Sequence, residues 1–183
     1  KAKYYYELAA QKNDPEAFYN LGCVYFKGYG VEIDYDEAVK YFILSAKQEN
    51  RAALIQLGYM YECGICVPQD YSECLHYYES AANLNSPYAL IKLGYFYSNC
   101  IFVDRDLSQA ENYLSKLINL ENDEDYSNVI SSNGYLYIAY NDLGLINLAE
   151  FLDIQKSKRL IMKSAYNEYP FGQNNYGLIN QFY

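Results

Sequence analysis

The chain has no tryptophan, one histidine (His76) and four prolines. A lone histidine removes His-pair zinc sites, most nucleophilic triads and His-based acid–base schemes together; His76 is read as a surface or packing residue of a helix. Basic residues are also scarce: 14 stand against 23 acidic ones, for a formal net charge of −9. That sign suits a phosphate backbone poorly, so no nucleic acid is expected as partner, and a basic or neutral protein fits better. No apolar run approaches the roughly 18 residues of a spanning helix, so no direct membrane insertion is expected. Neither a P-loop nor a dinucleotide-type glycine motif occurs, and there is no Asn-x-Ser/Thr acceptor. The acidic stretch Asn122–Asp125 lacks the ligand spacing and central glycine of a calcium loop. No cofactor and no metal are therefore expected. Lys1 to Glu7 show neither an initiating Met nor the apolar segment of an export signal, so they report neither export nor retention.

Cysteine is present but uneven. Five residues, Cys23, Cys63, Cys66, Cys74 and Cys100, do not read as a disulfide scaffold. Cys63-Gly-Ile-Cys66 has the C-x-x-C spacing, yet it bridges a helix end and a turn. Three readings stay open: thiols packed as small apolar groups, a zinc or redox pair, or a disulfide joining Cys63 or Cys66 to Cys100. A soluble protein is expected; the sequence leaves its compartment open, slightly favouring the cytoplasm over the periplasm or secretion as a bacterial effector. What the chain has in excess is tyrosine, 25 residues in 183.

The organising signal is a repeat. Leu21-Gly22 recurs as Leu57-Gly58 and Leu93-Gly94, at an offset of 36 residues both times. In the same register Ala17 aligns with Ala53 and Ala89, Tyr25 with Tyr61 and Tyr97, and Val31 with Val67 and Val103. Asp34 aligns with Asp70 and Asp106, and Tyr41 with Tyr77 and Tyr113. Each unit reads as two helices. The first starts behind Asp14-Pro15, Asn50 or Ser86-Pro87, with proline where its missing donor does no harm, and ends where Gly28 and Gly30 interrupt the pattern. The second opens with Asp34 and Glu37, Asp70 and Glu73, or Asp106 and Gln109, three versions of one capping box. Glycine inside the first helix sacrifices about 1 kcal/mol of propensity relative to alanine. Its recurrence at Gly22, Gly58, Gly94 and Gly134 implies a neighbouring aromatic in the vacated space.

The pattern Ala17-x-x-x-Leu21-Gly22-x-x-Tyr25-x-x-Gly28, then Gly30-Val31, Asp34, and Ala38-x-x-Tyr41 with Ala46, resembles the Sel-1-like repeat, a relative of the tetratricopeptide repeat. The resemblance implies an all-α, right-handed superhelical solenoid of stacked helix-turn-helix repeats. It also implies an adaptor that binds a protein or peptide on its concave face, and no enzyme. Departures from the pattern are Cys66 in place of the second glycine and Asn99-Cys100-Ile101-Phe102 in place of the glycine-rich turn, which are expected to re-aim the helix that follows.

The register divides 1–183 into a single array. Residues 1–12 form the second helix of a partial repeat; repeats follow at 13–48, 49–84 and 85–121; 122–168 is a degenerate repeat with insertions, and 169–183 a terminal helix, about ten helices in all. In the degenerate repeat Gly134 and Tyr137 restart the pattern after a four-residue slip, and an insert around Gly144 to Phe151 lengthens a turn.

Positions left over by the packing face of each first helix form a second stripe. Asn20, Cys23 and Lys27 lie there, with Gln56 and Tyr59, then Tyr88, Lys92, Tyr95 and Asn99, and finally Tyr135 with Ser132. By resemblance this stripe lines the concave groove and takes the partner, a protein or peptide of basic or neutral character. Tyrosine suits recognition because ring and hydroxyl are presented at little entropic cost, although the same rings could serve as packing against the next repeat. Two other functions are compatible with the sequence. One is an inhibitor or immunity protein neutralising a basic toxin or enzyme through the acidic surface; the other is a thiol enzyme using Cys66 or Cys74 as nucleophile, or Cys63 with Cys66 as a redox pair.

Overall fold

A computed structural model describes residues 2–123, 126, 134–149, 153–166 and 169–182. Among these residues there are ten α-helices, one short 3-10 turn and no strand: an all-α helical repeat solenoid. The helices are α1 (Ala2–Ala10), α2 (Pro15–Lys27), α3 (Tyr35–Ala46), α4 (Arg51–Cys63) and α5 (Tyr71–Asn83), followed by α6 (Pro87–Asn99), α7 (Leu107–Asn119), α8 (Tyr135–Ala149), α9 (Ile154–Tyr166) and α10 (Pro170–Phe182). The chain divides into two compact units, Lys1–Ser86 and Pro87–Tyr183. In the first, α2 packs on α3, α4 on α5, and α3 on α4; in the second, α6 packs on α7, α8 on α9, and α9 on α10.

The start signals work as short polar residues at helix starts should. Asp14, Asn50, Asp34, Asp70 and Asp106 all have extended backbones, and each accepts from an N–H of the first turn that has no partner inside the helix. The capping box, however, is only half made. Asp34 Oδ1 accepts from Glu37 N at 3.0 Å, while the Asp34 backbone N–H donates to Tyr25 O at 3.1 Å. Asp70 and Asp106 donate likewise to Tyr61 O and Tyr97 O. The second helix is thus tied to the end of the first, and Glu37 is released to pair with Lys40 at 2.8 Å.

The turns that lack glycine keep the glycine backbone. Positive φ recurs at Gly28, Gly64 and Cys100 (67°, 67° and 57°) and at Gly30, Cys66 and Phe102 (75°, 63° and 64°). With the same Asp-to-Tyr hydrogen bond closing each turn, the expectation that Cys66 and Cys100–Phe102 re-aim the next helix is not met. The strain of a left-handed side chain is tolerated because neighbours over-determine the turn: the Phe102 ring packs edge-on against Phe96 at 5.0 Å. The corners between repeats are equally regular. Asn13, Glu49 and Asn85 have φ of 61°, 59° and 58°, each followed by a backbone bond back to residue 9, 45 or 81.

The glycine inside each first helix sits under a side chain of the second, where a Cβ would have no room. At Gly22 it would lie 2.6 Å from the Phe42 ring, and at Gly58 2.7 Å from the Tyr78 ring. Gly94 breaks the expected chemistry, since a leucine, Leu114, stands at 2.7 Å. Gly134 breaks the expected register: its φ of 69° belongs to the residue preceding α8, and a Cβ there meets nothing within 4 Å. The glycine that does this work is Gly144, inside α8 and not in an inserted turn, with Ile161 at 2.5 Å. Serines confirm the match. Ser45 Oγ donates to Pro15 O at 2.6 Å, seven residues before Gly22, and Ser164 Oγ to Tyr137 O at 2.8 Å, seven before Gly144.

Many tyrosines are accounted for by packing within helix pairs. Tyr25 stacks on Tyr41, Tyr61 on Tyr77 and Tyr97 on Tyr113, with centroids 5.7, 5.7 and 5.8 Å apart and near-parallel planes. Such pairs add to the burial of the rings themselves.

Candidate functional site

The described residues expected to take a partner lie along the first helices, each of them half-buried or exposed. In the first unit α2 presents Asn20 and Cys23 half-buried and Lys27 exposed, with the ammonium of Lys27 5.7 Å from the Tyr29 ring. Cys23 is not a poised nucleophile, since burial pushes its thiol pKa up, against a hydrogen bond with Tyr19 and the charge of Lys27, which pull it down. Burial likewise pushes Tyr19 up to about 12. On α4, Gln56 is half-buried and Tyr59 is exposed.

In the second unit α6 carries Tyr88, Lys92, Tyr95 and Asn99 on one face. The Lys92 ammonium lies between two rings one helical turn away on either side, 5.8 Å from Tyr88 and 5.6 Å from Phe96. Asn99 Nδ2 donates back to Tyr95 O at 3.0 Å, closing the end of the helix. Tyr135 does not extend this row. It stands in the first turn of α8, half-buried and edge-on to Tyr88 at 6.4 Å, where burial raises its phenol pKa. Ser132 lies outside the described residues. With Gly144 as the register mark, the residue equivalent to Tyr59 and Tyr95 is Leu145, and these three are 42%, 48% and 38% exposed. A signal for it was in the sequence: Ala139-x-x-x-Leu143-Gly144 repeats Ala89-x-x-x-Leu93-Gly94 at an irregular offset.

Between α6 and α8 the chain leaves a groove of about 280 Å³ with Tyr95, Ser98 and Asn99 on one side and Asp142, Leu145, Ile146 and Ala149 on the other; Arg105 and Leu107 also line it. It unites two expected residues, Tyr95 and Asn99, with several that the sequence reading missed: Asp142, Leu145 and Arg105. Asp142 occupies the position of Asn20, Gln56 and Lys92, two before the glycine. Burial raises its carboxyl pKa, opposed by a 2.9 Å hydrogen bond from Asn141 Nδ2. Asn141 Oδ1 in turn accepts from Asn175 Nδ2 at 2.8 Å, which fixes the amide and the carboxylate it holds.

A larger cavity, about 370 Å³, opens on the second-helix side between α3 and α5, lined by Ile43, Lys47, Glu49, His76, Ser80 and Asn83 among others. It contains none of the stripe residues. His76 is exposed there and edge-on to Tyr77. All five cysteines are free thiols, Cys74 buried and Cys63 and Cys100 exposed. Among the described residues no group of three or more His, Cys, Asp or Glu is placed to hold a metal ion, and no helix is long and apolar enough to cross a membrane.

Stacked helix pairs, three of them at a 36-residue period with the same aspartate caps and all four with the same glycine contact, define a tetratricopeptide-like repeat protein. The profile described as Sel1 repeat matches residues 1–14, 15–50, 51–86 and 87–122, and the chain belongs to that family. No curated protein matches the chain. Among solved structures it is similar to a Sel1 repeat protein from Oxalobacter formigenes, with 25% identity and a TM-score of 0.68 over 90% of this chain and 63% of that one. It is also similar to a protective antigen present in uropathogenic Escherichia coli strains that displays an SLR fold, with 28% identity and a TM-score of 0.60 over 95% of this chain and 43% of that one. The chain therefore spans less than two thirds of either structure. Sel1 repeat proteins are generally scaffolds for protein–protein interaction.

Proposed function

We propose that the chain is a non-enzymatic adaptor that holds a partner protein or peptide on its first-helix stripe, with the groove between α6 and α8 as the main seat. The observation that carries this reading is the exposure of Tyr95 and Leu145 on the two walls of that groove. Large apolar side chains that the fold leaves uncovered around a concavity are the usual anchors of a protein interface. Tyr88 and Lys92, beside the groove in the same unit, would add contacts, and Asn20, Cys23, Lys27, Gln56 and Tyr59 form the corresponding stripe of the first unit; amides and ammonium groups are costly to bury unless a partner satisfies them. Tyr135, turned to pack on Tyr88, would shape the site without touching the partner. The formal charge of −9 favours a basic partner over nucleic acid.

The test is capture from source lysate by wild type and by Tyr95→Ala/Leu145→Ala, with circular dichroism showing that the variant keeps its helices. Loss of two anchors should weaken the retained protein's affinity by about tenfold or more. Equal capture by the folded variant would remove the groove as the seat.

A further inference from the structure

We propose that the groove between α6 and α8 selects a lysine or arginine side chain of its partner, with the aliphatic stem between Tyr95 and Leu145 and the charge on Asp142. This rests on reading the groove as the partner's seat and adds the chemistry of what enters it.

The register isolates the feature. At the position two before the helical glycine, the other first helices of repeats carry Asn20, Gln56 and Lys92, and only α8 carries a carboxylate. That carboxylate is largely withdrawn from water in the wall of a groove whose other side is an exposed tyrosine ring. Among the described residues it accepts one hydrogen bond, from Asn141, and no cation pairs with it. An ionised carboxylate can accept about four hydrogen bonds, so accepting capacity remains for a donor that enters the groove. The chain from Asn175 through Asn141 holds it in place before anything binds, which spares a partner the ordering that a free side chain would require.

What the groove rejects follows from the same geometry. A neutral apolar occupant would strip the remaining water from Asp142 and return nothing, which is unfavourable. An acidic one would meet like charge. A lysine or arginine offers both halves of the required match: a flexible apolar stem for Leu145 and Ile146, and a cation that can lie against the Tyr95 ring while donating to the carboxylate. The volume of about 280 Å³ admits one long side chain with part of its flanking backbone. Arg105, exposed at the lining, is the groove's own cation and opposes a basic occupant by like charge or by reaching Asp142 itself.

The experiment uses the whole chain, immobilised, to select from a displayed library of short random peptides, keeping those that Tyr95→Ala/Leu145→Ala no longer binds. Lysine or arginine should be enriched at one position of these peptides. Resynthesised with norleucine at that position, or measured against Asp142→Asn, the peptide should bind about tenfold to a hundredfold more weakly, and Arg105→Ala should bind the parent peptide about twofold more tightly. Asn is close in shape to Asp, and a folded helical spectrum for the variant separates lost charge from lost structure. Groove-dependent peptides without a basic position, or an Asp142→Asn affinity within about twofold of wild type, would overturn the selection while leaving the groove as the seat. A selection in which every recovered peptide still binds the Tyr95/Leu145 variant unchanged would overturn both.

Discussion

The two units solve one packing problem with different side chains. In the first unit the helical glycines lie under the flat rings of Phe42 and Tyr78; in the second they lie under the branched aliphatic groups of Leu114 and Ile161. The repeat therefore preserves the close approach of two helices, not the residue that fills it. A ring and a branched chain both work because each is fully buried and each stops a Cβ from fitting. The freedom to change filler accompanies the freedom to change spacing, since the second unit is also where the 36-residue period fails and a groove opens between α6 and α8.

Substitutions at the glycines should test that equivalence most strongly. Gly22→Ala and Gly144→Ala each gain about 1 kcal/mol of helix propensity but force a Cβ to within 2.6 and 2.5 Å of Phe42 and Ile161. Overpacking should dominate and destabilise each by about 1–3 kcal/mol in denaturant unfolding; a stabilised Gly144→Ala would mean that Gly144 and Gly22 are not equivalent. A smaller effect is expected at the serines. Ser45→Ala and Ser164→Ala each remove a buried hydroxyl that donates to a first-turn carbonyl of the neighbouring helix and should lose about 1 kcal/mol. A neutral Ser164→Ala beside a destabilising Ser45→Ala would break the comparison between the units.

Cys100→Gly should act in the other direction. Its φ of 57° matches the 67° at Gly28 and Gly64, and relief of the left-handed side chain should stabilise by up to about 1 kcal/mol, read as a raised Tm. An unchanged or lowered Tm would show that the cysteine's own contacts hold that turn. The smallest effect is expected at Asp142. Its folded-state pKa lies above the unfolded value, so the protonated form folds more favourably than the carboxylate. That contribution is full below the unfolded pKa and is lost as pH rises through the folded one. Asp142→Asn should then melt higher than wild type at neutral pH, with the gap closing in acid; a gap that is constant with pH would remove the burial argument. Together with its expected loss of binding, the variant would be steadier and less useful, the usual exchange at a site kept for recognition.

Most of the architecture was legible because it rests on local chemistry. Asp34, Asp70 and Asp106 cap helices wherever they fall, and proline at 15 and 87 opens them. The fourth repeat was misread because a glycine can serve two purposes. Gly134 supplies a positive φ before a helix and Gly144 supplies room inside one; the leucine before Gly144, Leu143, and the alanine five residues earlier, Ala139, tell them apart. The site suffered from the same ambiguity in tyrosine. Tyr25 and Tyr95 are alike in composition, yet one is stacked inside a helix pair and the other stands uncovered on a groove. Which of them is free depends on what lies opposite, and for Tyr95 that is Leu145 and Asp142, brought near by an α8 whose register had been misplaced.

The fastenings that shape each helix pair are short in sequence: a cap three residues ahead, a carbonyl nine residues behind, a corner that closes on itself. Such a chain can take form piece by piece as it leaves the ribosome, each pair settling before the next is made. The groove is the exception, because its walls are separated by α7 and the segment after it. It comes into being only once Ala149 has been synthesised, so an unfinished product would own a sound frame and no grip.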